Sequence, residues 1–295
     1  MQNDNLKSYL NLHLIVFVWG FTAILGALIS LEALDLVWFR MVFAVIFIAL
    51  YVFIKKIDLK VTSRVLLKLL ILGLIIALHW LTFFKAIKVS NVSVTLACLS
   101  TGALFTSILE PFFNKKRIVP YEVLFGLIVV AGLYIIFQVE GNYAEGILLA
   151  LTSAFLSALF SVMNGQLAKE YNSTLISFYE LSGGVLFLSL FLLLSGSFTL
   201  DFFTISSSDF IYLLILSSVC TAYAFIASVK VMKHISPYTV MLTINLEPIY
   251  GILLAVLIFK EKEQMSPTFY FGALIILATV VANGVVKYYQ RKKIS

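Results

Sequence analysis

Long apolar runs separated by short polar segments dominate the pattern of the chain. A helix needs about 20 mainly apolar residues to cross the hydrocarbon core of a bilayer. The runs cover residues 14–31, 36–54, 69–84, 90–109, 123–139, 146–168, 174–195, 210–229, 235–259 and 265–286. The pattern therefore predicts an all-α membrane protein with ten transmembrane helices.

The run 235–259 differs from the others because it carries a charge near its middle. Glu247 is followed by Pro248 and preceded by Asn245 at the same depth. A charged residue at the bilayer centre costs about 2.5 kcal/mol or more, so it usually faces a cavity and marks a pathway. Pro248 removes a backbone donor and exposes polar backbone. Two interpretations stay open: a functional carboxylate, or a kinked packing helix with a protonated Glu247.

An internal repeat organises the chain. Laying residues 83–131 on residues 229–277 aligns Ser90 with Ser236. Each half then holds five spans, an odd number, so the halves enter the membrane in opposite orientations. This arrangement predicts two inverted-topology five-helix repeats, as in secondary transporters. We expect the units as follows: a first repeat at 10–140, a second repeat at 144–288 and a basic cytoplasmic tail at 289–295.

The alignment places Glu247 and Pro248 opposite Thr101 and Gly102. Both halves thus interrupt their fourth span at the same depth, with Pro in one half and Gly in the other. Paired interruptions point to a binding site at the repeat interface. We expect Pro248 and Gly102 to act as hinges and Thr101 to lie near the site, although only the second half supplies an acid.

The net charge of +6 comes from basic clusters in the short loops. Lys and Arg are retained on the cytoplasmic side of membrane proteins. Most of these clusters fall on the side of the N-terminus, and the exceptions are Lys85, Lys88, Lys260 and Lys262. We therefore expect a multi-pass protein of the cell membrane with both termini cytoplasmic. Its surroundings are the lipid bilayer, and no nucleic acid is expected as a partner.

Composition and missing motifs narrow the function. The chain is 61% hydrophobic and only 12% charged, which is outside the range of soluble domains. His13, His79 and His234 are too far apart to form a metal pair on one helix face, and neither a Walker loop nor a dinucleotide fingerprint is present. We expect no enzyme activity, no cofactor and no metal.

Two charged residues lie inside other spans. Arg40 falls in the outer part of the second span, where it either snorkels to the surface or holds an anionic group of a substrate. Glu180 is placed near the start of the seventh span, where the helix dipole favours a negative charge. Because these positions differ in depth, we expect no ion pair between the two side chains.

Aromatic and polar candidates lie in three further spans. His79 is either a neutral histidine bonded between helices or a proton relay to Glu247. Trp80 either stacks on a substrate or anchors the helix at the interface. Trp19 and Tyr223 are candidates for cavity walls, with interhelical contact as the alternative.

Two further motifs are assigned to packing. Ser153, Ser157 and Ser161 recur at four-residue spacing, which is typical of close helix contacts in membranes. Glu110 and Pro111 repeat the Glu-Pro pair, but they lie near the cytoplasmic end of the fourth span, where we expect the helix to end.

Several motifs together resemble one family. They are Asn245-Leu246-Glu247-Pro248-Ile249-Tyr250-Gly251, Gly272-Ala273-Leu274-Ile275-Ile276, Trp19-Gly20, Phe39-Arg40 and Ala86-Ile87-Lys88-Val89-Ser90. Over residues 10–288 the chain is similar to the drug/metabolite transporter superfamily, and within it to the bacterial EamA-type ten-span carriers. This resemblance implies two inverted repeats and the export or exchange of small metabolites, such as amino acids or drug-like compounds.

We therefore expect a secondary transporter that works by alternating access around a midplane cavity lined by spans one to four and six to nine. Glu247 binds a substrate ammonium or a coupling proton in this hypothesis, and Arg40 or His79 binds an anionic or polar group. Trp80 and Tyr223 supply aromatic walls. The alternatives are a passive channel-like pore and a scaffold or accessory subunit without flux. The sequence leaves the substrate and the oligomeric state open.

Overall fold

Helices make up the regular structure throughout the described part of the chain. The computed structural model describes residues 2–115, 120–139, 141–260 and 264–294. The α-helices are α1 Gln2–Leu28, α2 Ala33–Lys55, α3 Ser63–Val89, α4 Val92–Leu99, α5 Gly102–Phe113, α6 Pro120–Val139, α7 Ala144–Leu167, α8 Ser173–Leu194, α9 Ser207–Ser217, α10 Ala224–Val231, α11 Pro237–Ile244, α12 Glu247–Phe259 and α13 Pro267–Ile294. A π-helical turn, Ser218–Tyr223, joins α9 to α10, and short 3₁₀ turns lie at Gly141–Tyr143 and Asp201–Phe203.

The predicted membrane spans are confirmed. In the described residues, 8 helical segments are long and apolar enough to cross a bilayer, and α6 and α13 hold the shorter apolar stretches Leu124–Ile136 and Pro267–Thr279. Three spans are interrupted: the fourth consists of α4 and α5, the eighth of α9 and α10, and the ninth of α11 and α12. Helix α13 continues through the predicted tail as far as Ile294. Lys262, which the sequence places in an outer loop, lies outside the described residues.

Side-chain caps fix where the two interrupted spans of interest begin. Asn91 precedes α4, and its Oδ1 accepts a hydrogen bond from the Val94 amide at 2.8 Å. Ser236 precedes α11, and its Oγ accepts from the Thr239 amide at 3.3 Å. Such caps satisfy backbone donors that a helix leaves free at its start. Pro237 follows Ser236 at a position where a missing N–H costs nothing.

Contacts between the halves follow an approximate twofold pattern. Helix α1 packs on α12, and its counterpart α7 packs on α4 and α5. Helix α2 packs on α9 and the π turn, and its counterpart α8 packs on α3. The fifth and tenth spans, α6 and α13, pack on each other. Exchanging each span for its counterpart therefore reproduces the contacts, as expected for inverted repeats related by an axis in the membrane plane.

The contact between α3 and α8, which we call the seam, joins the two halves at short range. A Cβ added to Gly73 would lie 2.0 Å from the backbone oxygen of Glu180, and one added to Gly184 would lie 3.0 Å from the backbone oxygen of Gly73. Helices approach this closely only where side chains are absent. Glycine is therefore needed at this seam for backbone-to-backbone contact.

Glu180 corrects an expectation from the sequence. Helix α8 begins at Ser173, so Glu180 lies two turns inside it and is fully buried. The favourable helix dipole acts mainly on the first turn. The dipole explanation is therefore wrong. The expected absence of an ion pair with Arg40 is confirmed, because the two side chains, both within the described ranges, form none within 4 Å.

Candidate functional site

A cavity of about 70 Å³ lies between the two halves. Its walls come from the first four spans and from the sixth, eighth and ninth. The lining residues are Trp19, Thr22, Arg40, His79, Trp80, Phe83, Leu99, Ser157, Phe160, Ser161, Cys220, Phe225, Ser228, Met232, Val240, Met241, Ile244 and Glu247. A water needs about 10–15 Å³ by this measure, so the cavity is large enough to be wet. The seventh span, predicted to contribute, supplies none of these lining residues.

The break in the ninth span brings Glu247 to the cavity wall. Helix α11 ends at Ile244, and α12 begins at Glu247 with Pro248 in its first turn. Glu247 is only 5% exposed, and no side-chain or backbone donor in the described ranges bonds its carboxylate. The break therefore places a carboxylate without a hydrogen-bond partner in the described ranges at a cavity, where a bound solute or water can reach it.

Arg40 faces the same cavity and is 1% exposed. Its guanidinium carbon lies 3.9 Å from the centroid of the Trp80 ring, and its Nε donates to Thr221 Oγ1 at 2.7 Å. Desolvated cation–π contacts of this kind contribute about 2 kcal/mol. The snorkelling interpretation is wrong, because the stacking on Trp80 and the bond to Thr221 hold the charge inside the protein.

Arg40 nevertheless keeps free binding capacity. Its Nη1 is buried and has no hydrogen-bond partner in the described part of the chain. No ion pair within 4 Å joins Arg40 to Glu247, both of which are described. A buried guanidinium donor without a partner is costly, unless an anion or water binds it. The cavity thus offers a positive and a negative group that do not neutralise each other by contact.

The π turn Ser218–Tyr223 forms the wall behind Arg40 and was not predicted from the sequence. Thr221 Oγ1 donates to the backbone oxygen of Leu216, five residues earlier, at 2.7 Å while accepting from Arg40. Trp19 Nε1 donates to the backbone oxygen of Cys220 at 3.1 Å. Widened turns of this kind free backbone carbonyls and occur frequently at functional sites. No proline or glycine marks this turn, so nothing in its sequence announces it.

His79 is tied to the second half by hydrogen bonds. Its Nδ1 lies 2.9 Å from the backbone oxygen of Ser153 and 2.8 Å from Ser153 Oγ, and Ser153 Oγ donates to the backbone oxygen of His79 at 3.0 Å. An Nδ1–H donating to the carbonyl fits this geometry, with the tautomer assigned from the partners. These contacts are those of the interhelical interpretation. The proton relay stays a prediction.

The structure does not bring every predicted residue to the cavity. Tyr223 is 47% exposed, and its hydroxyl lies 3.4 Å from Asn11 Oδ1. The π turn directs Cys220 and Thr221 inward instead, so Tyr223 is not an aromatic wall. Phe160 and Phe225 take that place.

Thr101 and Asn245 are buried close to the two breaks, but neither lines the cavity. Thr101 Oγ1 donates to the backbone oxygen of Cys98 at 2.8 Å. Asn245 Nδ2 has no partner in the described ranges. Gly102 starts α5, and a Cβ there would lie 2.7 Å from Met241 Cε. The residues at the first break therefore make packing contacts, whereas the second break places the carboxylate of Glu247 at the cavity wall.

Comparisons with known proteins agree with this architecture. Residues 6–138 and residues 144–284 each match the EamA-like transporter family. An uncharacterized transporter of Archaeoglobus fulgidus is 24% identical over 285 residues, which are 94% of this chain and 96% of that protein. A protein of known crystal structure aligns with a TM-score of 0.69 at 15% identity, covering 95% of this chain and 98% of the other. That last likeness concerns the fold alone.

Proposed function

The chain belongs to the EamA-like transporter family and is a multi-pass membrane transporter; from this premise we propose that it exports or exchanges small zwitterionic metabolites, with amino acids as the leading class. Arg40 and Glu247 carry this proposal. Both line one cavity, both are almost fully buried, and neither is paired with the other. A ligand that bears a carboxylate and an ammonium satisfies both groups at once.

Each group has a separate role in this proposal. The Nη1 of Arg40 donates to the substrate carboxylate, and Glu247 accepts from the substrate ammonium or from a coupling proton. Trp80 holds the guanidinium in place by stacking and limits its rotation. The apolar walls, including Phe160 and Phe225, receive the substrate side chain. Most ligand sites combine such walls with a few convergent polar groups.

Alternating access supplies the mechanism. The two halves contact each other in a pseudo-twofold pattern, and the fourth and ninth spans break at aligned positions. Rocking of one repeat against the other about a fixed midplane site alternately opens its two sides. Gly102 and Pro248 are the proposed hinges. We place the protein in the cell membrane with both termini in the cytoplasm, on the distribution of its basic residues.

Counterflow in proteoliposomes tests the function. Vesicles loaded with an unlabelled amino-acid mixture should accumulate a labelled tracer transiently and saturably. Glu145→Gln is a control carboxylate variant that should behave like the wild type, because Glu145 is exposed and pairs with Lys85 away from the cavity. Flux without saturation or counterflow would indicate the passive pore instead. No flux of amino acids, nucleosides or amphipathic drugs would support the scaffold.

The substrate can be narrowed in cells. The medium of a strain that overproduces the protein is compared with that of a deletion strain. An exporter of zwitterions should enrich amino acids or their derivatives outside the overproducing cells. Enrichment of anionic compounds without an ammonium group would contradict the role assigned to Glu247.

A further inference from the structure

A second buried carboxylic acid lies outside the cavity, at the seam. Glu180 is fully buried, and its Oε2 accepts a hydrogen bond from Asn164 Nδ2 at 3.1 Å. Its Oε1 has no partner in the described part of the chain, and neither does Asn164 Oδ1. The buried hydroxyl of Ser177, one turn earlier on α8, likewise has no hydrogen-bond partner in the described ranges. Two unsatisfied acceptors thus belong to one hydrogen-bonded pair.

The described helices that pack against α8 hold no ion-pair partner for Glu180. Their cationic and titratable basic groups are Arg40 and Lys55 on α2, Arg64, Lys68, His79, Lys85 and Lys88 on α3, and Lys230 on α10. Among these described side chains, none forms an ion pair with Glu180 within 4 Å. Arg40 is held by Trp80 and Thr221, and His79 is held by Ser153. Helix α7, which supplies Asn164, carries Glu145 as its charged residue, and Glu145 pairs with Lys85.

An ionised carboxylate in this place would be very unfavourable. Burying an unpaired charge costs several kcal/mol even after relaxation. A buried acceptor without a donor adds its own desolvation cost of about 1–3 kcal/mol. Protonation of Oε1 removes the charge of the carboxylate. It also converts Oε1 from an acceptor without a donor into a hydroxyl that can itself donate a hydrogen bond. The neutral acid is therefore the form that the surroundings of Glu180 accommodate.

A line of polar side chains on α7 connects this acid to the cavity. Ser157 and Ser161 line the cavity, and Asn164 follows Ser161 one turn later on the same helix. Residues three and four apart lie on one helix face. The serines were assigned to packing from the sequence. Ser161 Oγ donates to Met241 Sδ at 3.4 Å, and its position one turn before Asn164 gives this face of α7 polar groups that water from the cavity can follow.

We propose that Glu180 is a proton-binding site at the seam between the two halves, loaded while the seam is closed and unloaded through the cavity when the halves move. On unloading, water from the cavity reaches Glu180 along the polar face of α7, the Oε1–H bond breaks, the proton passes to that water as hydronium, and the carboxylate becomes hydrated. On reloading, the same oxygen takes a proton back from water. The loaded site stands on the geometry alone, whereas its cycling rests on the proposed transport function.

Infrared spectroscopy of the full chain in lipid nanodiscs tests the loaded site without any substrate. A protonated carboxylic acid has a C=O stretching band distinct from those of a carboxylate. At neutral pH, the wild-type spectrum minus that of Glu180→Gln should contain one such band, and Asn164→Leu should shift it, because the bond to Oε2 is lost. Glu145→Gln should leave the band in place. A spectrum of Glu180→Gln that retains every protonated-acid band would overturn the proposal.

Transport tests the cycling separately. In proteoliposomes with the labelled amino-acid mixture, Glu180→Gln should keep counterflow but lose accumulation driven by a pH gradient, since a permanently neutral side chain carries no proton. Gradient-driven accumulation equal to that of the wild type would contradict cycling. If the wild type moves no amino acid at all, the proposed function fails while the infrared band still decides whether Glu180 holds a proton.

Discussion

The fourth span breaks between Leu99 and Gly102, and the ninth breaks between Ile244 and Glu247, at positions that agree to within one residue in the repeat alignment. At the first break, Thr101 bonds its own helix and Gly102 admits the Met241 side chain. At the second, Glu247 reaches the cavity without a hydrogen-bond donor among the described residues. Similar backbone interruptions thus serve different purposes. The repeat places a helix break in each half, and the side chains at each break decide which half supplies a binding group.

The dipeptide Glu-Pro occurs twice in the chain, in two different surroundings. Glu110 and Pro111 share the sequence of Glu247 and Pro248, but they lie within the last turn of α5. Glu110 Oε2 accepts from the Tyr238 amide at 3.1 Å, at the first turn of α11. This carboxylate satisfies a helix N-terminus of the other half. A Glu-Pro pair therefore predicts a binding group only where the break lies at the cavity.

The largest effect is expected from Glu247→Gln. The amide keeps the size of the side chain but removes the charge that binds an ammonium or a proton. Hydrogen bonds to charged groups contribute about 1.5–3 kcal/mol, so we expect about a ten- to hundredfold loss of apparent affinity in counterflow. Glu110→Gln is the matched control and should transport normally. Equal losses of apparent affinity in Glu247→Gln and Glu110→Gln would contradict the difference in role between the two Glu-Pro pairs.

Arg40→Lys should cost about tenfold in affinity for a zwitterion. Lysine keeps the positive charge but cannot stack as a planar group on Trp80 or present a second donor beside the bond to Thr221. The expected signature is a raised KM with less change in maximal rate, measured by counterflow at several concentrations. An unchanged KM would mean that the guanidinium is structural and that Glu247 acts without it.

Substituting the two hinges should give unequal effects on rate. Pro248→Ala restores a backbone donor at the second break and favours a more regular helix, so we expect transport to slow several-fold. Gly102→Ala presses a methyl group against the flexible end of Met241, which can shift. The smaller effect of Gly102→Ala should be relieved by adding Met241→Leu, with turnover at saturating substrate as the measurement.

The smallest effect is expected from Thr101→Val. Its hydroxyl bonds the backbone oxygen of Cys98 on its own helix and does not line the cavity. Counterflow should therefore stay close to that of the wild type, and thermal stability should fall by no more than about 0.5–1.5 kcal/mol. A loss of transport as large as that of Glu247→Gln would show that the two breaks are functionally equivalent.

The sequence alone determined the ten spans and, to within one residue, the positions of the two aligned breaks. Apolar runs of sufficient length, and a proline or glycine inside them, are local signals. They decide the secondary structure because backbone polar groups inside the bilayer must be hydrogen-bonded within the protein. The repeat boundaries at 10–140 and 144–288 stay a prediction. Glu247, Arg40, Trp80, His79 and Trp19 were found as polar or aromatic residues within spans, where such residues are rare enough to stand out.

Only the tertiary structure decided which of these residues share a cavity. The π turn rotates Tyr223 away and brings Thr221 and Cys220 in, and no local sequence signal marks that widening. Arg40 is held by Trp80 from another helix, and Glu180 is enclosed at a seam made of glycines from both halves. Hydrophobicity along one helix reports whether it enters the membrane. Which of its faces meets a partner depends on packing between residues far apart in sequence.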